Sequence, residues 1–277
     1  MSKNPTLSFE FFPPRTPKAA ANLFEAAKKL ATKKPAFMTV TYGAGGSSRS
    51  WTLETATTLQ DLTGVPMATH LTCINLYKKA LIGVADTFWD NGIKHIVALR
   101  GDVPPEDRPL DYGDHNYFHY ASDLVEALKT THPFEISVAA YPEKHPDAPS
   151  LEADIDALKK KCDAGADRAI TQFFFDNDVF FRFRDKVVAA GIKTPIIPGI
   201  LPIVDFTKMK NFAARCQSSV PDWVHAAYVG LEEKPDDAHK AAVKLFAKQL
   251  QGLSDAGEPH IHIYTLNRAE ILLEAMK

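Results

Sequence analysis

A carboxylate stands inside an aromatic stretch near the N-terminus, in the segment SFEFFPPRTP. Glu10 has Phe9 and Phe11 on either side, and two prolines end the run. Alternate side chains of a strand face opposite sides, so an inward Glu10 leaves both phenylalanines to pack outward. Burial disfavours the charged form of a carboxyl group. We therefore expect a raised pKa for Glu10, which suits a general acid near neutral pH.

Further polar side chains lie at or near the ends of later strand-like segments. Each has an ordinary alternative: His70 could be a hydrogen-bonded core histidine, and Arg268 could cap the last helix. Together they are harder to explain as ordinary structural residues, because each polar group buried without a partner costs several kcal/mol of folding free energy. We expect a ligand or a dense polar network to satisfy them. They are Thr41, Tyr42, His70, Arg100, Asp102, Tyr141, Gln172, Tyr264 and Arg268.

Eight strand-like segments alternate with helix-like segments along the chain. Several helix-like segments end at a glycine, for example Gly64 and Gly92, as is typical of helix C-termini. This alternation predicts parallel strands joined by right-handed crossovers. We predict an α/β fold, a (β/α)8 TIM barrel, as a single catalytic domain over residues 1–277. An extra helix is expected before the last strand, in SSVPDWVHAAYVGLEEKPDD.

A doubly wound open sheet is the alternative architecture. The turn after the first strand, FFPPRTP, contains no glycine and so lacks the dinucleotide-binding fingerprint of such sheets. In a barrel, the C-terminal ends of the strands form the active face. The polar residues named above fall at that face.

Composition narrows the possible partners and location. The 277 residues are 45% hydrophobic and 24% charged, with a formal net charge of −2, so we expect neither a nucleic acid nor a membrane partner. The N-terminus lacks the apolar core of a signal peptide, and we expect a cytoplasmic protein. We expect no metal, because the carboxylates are spread over distant strands and we recognise neither an HxH nor an HExxH motif.

Two further segments are candidates for ligand contact. The stretch GDVPPEDRPLDYGDHNYFHY follows the fourth strand, and long ordered loops on this face are usually functional. The lysine triplet Lys159–Lys161 is more often a solvated helix face, but it could also contact phosphate.

Long motifs occur in one order from about residue 7 to about residue 275. They are SFEFFPPRTP, VTYGAGGSSR, HLTC, HIVALRGD, ISVAAYPEKHP, DAGADRAITQFFFD, PGILPI and YTLNRAE. Together they resemble the flavin-dependent bacterial type of methylenetetrahydrofolate reductase. The resemblance implies a barrel that binds FAD at its C-terminal face and reduces 5,10-methylenetetrahydrofolate to 5-methyltetrahydrofolate. It also implies a ping-pong route, in which NADH or NADPH gives hydride to the flavin and leaves before the folate binds.

The same resemblance implies roles for individual residues. Glu10 would be the general acid that assists opening of the imidazolidine ring, and Asp102 would lie near the flavin and the pterin. The substrate contacts would be Thr41, Gln172, Phe212 and Arg268. The FAD contacts would be Tyr42, Ala44, His70, Arg100, Gly101, Asp102, Tyr120, Ala121, Tyr141, His145, Ala148, Asp154, Lys160 and Lys161.

Other properties follow from the resemblance as expectations. The bacterial relatives form dimers and tetramers, so a homo-oligomer is expected, and NADH is mildly preferred over NADPH. We expect no counterpart of the eukaryotic C-terminal regulatory domain, and therefore no inhibition by S-adenosylmethionine through such a domain. Two alternatives stay open: a folate-dependent methyltransferase without flavin, and a barrel that has lost its chemistry.

Overall fold

The protein is described by a computed structural model over residues 5–42, 49–74, 76–102 and 114–277. Nine short strands pair side by side, and every pair is parallel. They are β1 (Thr6–Phe11), β2 (Phe37–Val40), β3 (Met67–Thr72), β4 (His95–Leu99), β5 (Glu135–Ala140), β6 (Arg168–Thr171), β7 (Ile196–Ile197), β8 (Gly199–Ile200) and β9 (His260–Tyr264).

Strands β7 and β8 are two halves of one barrel strand, separated by Pro198. Ile197 pairs with Ile170 on β6, whereas Ile200 pairs with Ile263 on β9. Proline has no backbone N–H to donate to a ladder, which accounts for the break. Its carbonyl oxygen still accepts a 2.9 Å hydrogen bond from the His262 nitrogen. The barrel therefore closes with eight strand positions, and the predicted (β/α)8 fold is confirmed.

Helices surround the barrel. They are α1 (Pro17–Ala31), α2 (Arg49–Thr63), α3 (Lys78–Asp90), α4 (Ala121–Thr131), α5 (Leu151–Asp163), α6 (Asn177–Ala189), α7 (Phe206–Cys216), α8 (Asp222–Tyr228), α9 (Pro235–Asp255) and α10 (Glu270–Ala275). Helix α8 lies in the segment predicted to hold an extra helix, so that prediction is confirmed. None of the helices in the described ranges is both long and apolar enough to cross a membrane.

Local sequence signals set the helix ends. Thr16 precedes α1 and its hydroxyl accepts a hydrogen bond from the Ala19 nitrogen, while Pro17 occupies the first turn, where no N–H is needed. Gly64 and Gly92 follow α2 and α3 with φ of +66° and +81°, a conformation that costs glycine little. The predicted glycine-terminated helices are confirmed at these positions.

Two apolar layers lie on opposite sides of the strands. Phe9 and Phe11 are fully buried in the layer between the strands and the helices. A smaller cluster fills the barrel interior, formed by Phe37, Ala68, Val97, Ile170 and Ile197. Because alternate residues of β1 face opposite sides, the outward phenylalanines leave Glu10 inside the barrel.

Candidate active site

A cavity of about 400 Å³ lies at the C-terminal ends of the strands. Its walls are largely apolar and include Val97, Leu99, Val138 and Leu201. Such a cavity with a few convergent polar groups is the usual form of a small-molecule site. Seven of the residues predicted from the sequence line it: Glu10, Thr41, His70, Tyr141, Gln172, Phe212 and Tyr264.

Glu10 lies between two imidazoles at the base of this cavity. Its Oε2 atom is 3.1 Å from Nε2 of His70 and 3.4 Å from Nε2 of His262. The His262 contact is a hydrogen bond, whereas the His70 contact has the distance of an ion pair without hydrogen-bond geometry. The Thr39 hydroxyl donates to the same oxygen at 3.5 Å. The Glu10 side chain is 17% exposed, and that of His262 is fully buried.

Opposing effects act on the pKa of Glu10. Burial alone raises it, but the charges of His70 and His262 and the hydrogen bond with His262 outweigh burial and lower the pKa to about 2. The predicted rise is therefore wrong. That expectation considered only the aromatic neighbours along the strand, and these point away from Glu10 toward the helices. At neutral pH the side chain is a carboxylate, so it must receive a proton before it can donate one.

Tyr264 forms another part of the cavity wall. Its hydroxyl donates a 2.7 Å hydrogen bond to the carbonyl oxygen of Thr171. A side chain at Gly199 would overlap both that carbonyl oxygen and the Tyr264 ring, so only glycine fits there. Burial, followed by the nearby negative charge of Glu10, raises the pKa of Tyr264. Tyr264 is therefore a neutral phenol at the cavity wall.

An aromatic pair borders the cavity on the β6 side. The rings of Phe173 and Phe212 stack with centroids 5.1 Å apart, and Phe212 is 37% exposed. The side-chain oxygen of Gln172 accepts a 3.0 Å hydrogen bond from the Phe173 nitrogen. An exposed aromatic face next to an oriented amide can hold a flat heterocycle.

The segment after β4 contains the predicted Arg-Gly-Asp tripeptide. Arg100 Nη2 lies 2.8 Å from Oδ2 of Asp147, and Asp102 is exposed. Gly101 has φ of +89°, and a Cβ there would approach the Ile74 side chain at 2.7 Å. The tight turn therefore requires glycine.

The segment after β5 is held by hydrogen bonds within its own loop and by one to the first turn of α5. The His145 nitrogen donates to Oδ2 of Asp154 at 2.8 Å, and the His145 ring packs edge-on against Tyr141 with centroids 4.6 Å apart. Lys144, with φ of +86°, donates to the carbonyl oxygens of His145 and Ala148. Burial and the charge of Arg100 lower the pKa of His145. The loop is thus a pre-formed polar surface.

The remaining predicted residues are less centrally placed. Lys160 is exposed, whereas the Lys161 amine donates to the Ala139 carbonyl oxygen at 2.6 Å, and burial lowers its pKa to about 8. Tyr120 and Ala121 form the start of α4, and Tyr120 is 52% exposed.

Three sequence predictions fall elsewhere. Arg268 is exposed and lines a neighbouring cavity of about 310 Å³ together with His239 and Thr265. Ala44 lies outside the described residues, and so does much of the long segment after β4, at positions 103–113.

Sequence reasoning missed the histidines on β9. The segment HIHIY contains a His-x-His pair, His260 and His262, so the statement that no HxH motif occurs is wrong. Strand alternation places both rings with Tyr264 on one face, and barrel closure places that face beside Glu10. Among the described residues, no group of three or more histidine, cysteine or acidic side chains is arranged so that it could hold a metal ion.

The fold and the cavity define a class of protein: a parallel α/β barrel with a carboxylate-containing ligand site at the C-terminal ends of its strands. Residues 1–277 match the family described as methylenetetrahydrofolate reductase. The chain therefore belongs to that family and is an enzyme, which confirms the resemblance drawn from its motifs.

Individual relatives agree with this assignment. The 5,10-methylenetetrahydrofolate reductase of Escherichia coli is 45% identical over 265 residues, covering 96% of this chain and 87% of the relative. That of Pectobacterium carotovorum is 44% identical with the same coverage. Among solved structures, an uncharacterised Clostridium thermocellum protein that binds two copies of 5-methyl-5,6,7,8-tetrahydrofolic acid has a TM-score of 0.60 and 14% identity. That match covers 99% of this chain and 93% of the other, and it shows the shared fold.

Proposed function

We propose that this enzyme reduces 5,10-methylenetetrahydrofolate to 5-methyltetrahydrofolate, with FAD as its resident cofactor and NADH or NADPH as the hydride source. The observation that carries the proposal is the position of Glu10 at the base of an apolar cavity bordered by Phe212, in a chain of this family. The reaction needs one proton and one hydride at neighbouring positions of the substrate. A carboxyl group and a hydride-donating ring must therefore meet in one cavity.

The residues present fit a flavin. Val97, Leu99 and Val138 provide apolar walls for a planar ring. The tight turn at Gly101 would allow the backbone to approach the flavin closely. Arg100 and the pre-formed loop around His145 offer positive charge and N–H groups for phosphate oxygens. When bound, FAD supplies the two-electron chemistry that takes hydride from the nicotinamide and gives it to the folate.

The protein contributes orientation and a proton. Phe212 stacks on the pterin ring of the bound folate, and Gln172 hydrogen-bonds the edge of that ring. These two contacts fix which face of the substrate receives hydride. Glu10, once protonated, gives its proton to the leaving nitrogen as the C–N bond of the imidazolidine ring breaks. The carboxylate that remains, together with Asp102, stabilises the cationic iminium that forms. Thr41 contacts the nicotinamide in the other half of the ping-pong route.

A flavin titration and two half-reactions test the proposal. We expect yellow protein that binds FAD and bleaches anaerobically with NADH. In Glu10→Gln, flavin reduction by NADH should stay within about twofold of wild type, whereas folate reduction should fall by roughly 10²–10⁴. Glu25→Gln, on the exposed side of α1, is the matched control and should change neither rate.

Two outcomes would contradict the proposal. Protein that never binds FAD would overturn the cofactor assignment, and normal folate reduction by Glu10→Gln would overturn the assignment of Glu10 as the general acid.

The proposal extends to the whole chain. It takes residues 1–277 as a single catalytic domain that assembles into a cytoplasmic homo-oligomer. Light scattering coupled to size-exclusion chromatography of the FAD-loaded protein tests the assembly, and a mass of one chain would contradict it.

A further inference from the structure

A chain of hydrogen bonds runs from Glu10 through the barrel interior toward its opposite end. Nε2 of His262 contacts Glu10 at 3.4 Å, and its Nδ1 lies 2.8 Å from the Ser8 hydroxyl. The same hydroxyl lies 2.9 Å from Nε2 of His260. Ser8 and His262 are fully buried, whereas His260, at the N-terminal start of β9, is partly exposed.

The pairing of the first and last strands creates this chain. In the β1–β9 register Thr6 stands opposite His260, and Ser8 stands opposite His262. Ser8 and His262 therefore form one inward-facing layer of the closed barrel. Glu10 lies in the next layer toward the cavity. The path is thus a consequence of strand geometry and is held by buried backbone.

One set of neutral tautomers satisfies every contact in the chain. The Glu10 carboxylate can only accept, so Nε2 of His262 carries the proton that it receives. Nδ1 of neutral His262 must then accept from the Ser8 hydroxyl. The Ser8 oxygen in turn accepts from a protonated Nε2 on His260. All three donors therefore point toward Glu10.

We propose that His260, Ser8 and His262 form a proton path that supplies Glu10 from the N-terminal end of the barrel. This inference rests on the proposed function, in which Glu10 loses one proton per turnover. A proton from water binds Nδ1 of His260, and the Nε2 proton of that ring moves to the Ser8 oxygen. The Ser8 hydroxyl proton moves to Nδ1 of His262, and the Nε2 proton of His262 moves to Glu10.

This sequence of transfers balances. One proton enters at His260, one leaves Glu10 for the substrate nitrogen, and no electrons move along the path. After one turnover both rings hold their protons on Nδ1, so the two rings and the Ser8 hydroxyl must reorient to restore the first arrangement before the next turnover. None of the three residues is among those that line the cavity, so they act by loading Glu10.

Glu10 needs a source of protons that stays accessible while ligands occupy the cavity. Glu10 is ionised at neutral pH, because the imidazoles beside it lower its pKa to about 2. Stacked ring systems in the cavity would cover the side of Glu10 that faces solvent. A route through the barrel interior reaches the carboxylate from behind those ligands.

Other ionisable groups surround the path without joining it. His70 contacts Glu10 from β3, and His95 on β4 hydrogen-bonds to Ser137 on β5 at 2.7 Å. Arg168 on β6 pairs with Glu135 on β5. Burial, with contributions from His262 and Arg168, lowers the pKa of His260 to about 4. His260 is therefore neutral at neutral pH and able to accept a proton and pass one on.

Ser8→Ala and Ser137→Ala make a matched pair of variants. Both serines are fully buried and hydrogen-bonded to a histidine, but only Ser8 lies on the path. In Ser8→Ala, we expect the folate half-reaction to slow at least tenfold with a larger solvent deuterium isotope effect. Flavin reduction by NADH should stay within about twofold. Ser137→Ala should leave both rates within about twofold, and Ser8→Thr, which keeps a hydroxyl, should recover part of the loss.

A second readout does not depend on turnover. In protein loaded with FAD and 5-methyltetrahydrofolate, ¹⁵N NMR reports how fast the His262 ring proton exchanges with water. We expect at least tenfold slower exchange in Ser8→Ala than in wild type and no change in Ser137→Ala. If Ser8→Ala does not fold, His260→Gln at the less buried end of the path should show the same slowing.

The outcomes separate this inference from the proposed function. Wild-type protein that neither binds FAD nor reduces the folate would overturn the function itself. An active wild type whose Ser8→Ala variant keeps normal exchange and a normal folate half-reaction would overturn only the proton path.

Discussion

The side-chain amide of Asn267 hydrogen-bonds to both backbone groups of Phe12. Its oxygen accepts from the Phe12 nitrogen at 3.0 Å, and its nitrogen donates to the Phe12 carbonyl oxygen at 2.9 Å. Asn267 itself has φ of +57°, a left-handed conformation that asparagine tolerates better than most residues. The turn after β9 thus holds the end of β1, two residues beyond Glu10.

Removal of this amide should loosen the site. Asn267→Ala loses both hydrogen bonds and places alanine at positive φ, so we expect a loss of about 2–4 kcal/mol in unfolding free energy. Asn267→Gly relieves the backbone strain and should lose less. Urea unfolding measures both. Equal stability of the alanine variant and wild type would show that the amide does not hold β1.

The close approach at Gly199 gives a second prediction. Gly199→Ala places a methyl group against the Thr171 carbonyl oxygen and the Tyr264 ring, so we expect destabilisation of about 1–3 kcal/mol and a distorted cavity. Gly83→Ala, in the open interior of α3, should be neutral or stabilising by up to about 1 kcal/mol. Thermal unfolding of the two variants provides the comparison, and a Gly199→Ala protein as stable as Gly83→Ala would contradict it.

His260 should make the protein less stable in acid. Its pKa is about 4 in the folded protein against an ordinary value of 6.5. Between those values the unfolded chain binds a proton that the folded chain does not, so stability falls as the pH decreases from 6.5 to 4.

His260→Gln removes this contribution. From pH 7 to pH 4, we expect the variant to lose roughly 3 kcal/mol less unfolding free energy than wild type. Urea unfolding at several pH values gives the two slopes. If unfolding free energy depends on pH in the same way for both proteins, His260 binds protons equally in the folded and unfolded states.

The lysines of α5 should separate into two roles. Lys160 is exposed, and its substitution by Met should raise the Kd for FAD about tenfold if it faces the pyrophosphate. Lys161 donates to the Ala139 carbonyl oxygen, and Lys161→Met should mainly destabilise the fold, by about 1–3 kcal/mol.

Lys159→Met is the control for both lysines, because Lys159 pairs only with Asp163 on the same helix among the described contacts. It should change neither FAD affinity nor stability. FAD titration by flavin fluorescence and urea unfolding separate the two effects. A larger loss of FAD affinity for Lys161→Met than for Lys160→Met would reverse the assignment.

Much of the architecture can be read from the chain. Strand and helix segments alternate eight times, and glycines such as Gly64 mark helix ends, because these are local properties of the backbone. The inward side of β1 also follows from its alternation, since successive strand residues face opposite sides. The split of the seventh strand at Pro198 follows from a missing N–H, although the sequence predicts eight strand segments and not nine.

The state of the site does not follow from local pattern. A pKa depends on charges and hydrogen bonds within a few ångströms, and the neighbours that decide the pKa of Glu10 come from β3 and β9. The ring of His262 reaches Glu10 and Ser8 only because closure of the barrel pairs β1 with β9, bringing together Ser8 and His262 from positions 254 residues apart. The motifs thus sufficed to indicate the family and the inward carboxylate. Whether that carboxylate rests with or without its proton was set by long-range contacts that arise only when the first strand meets the last.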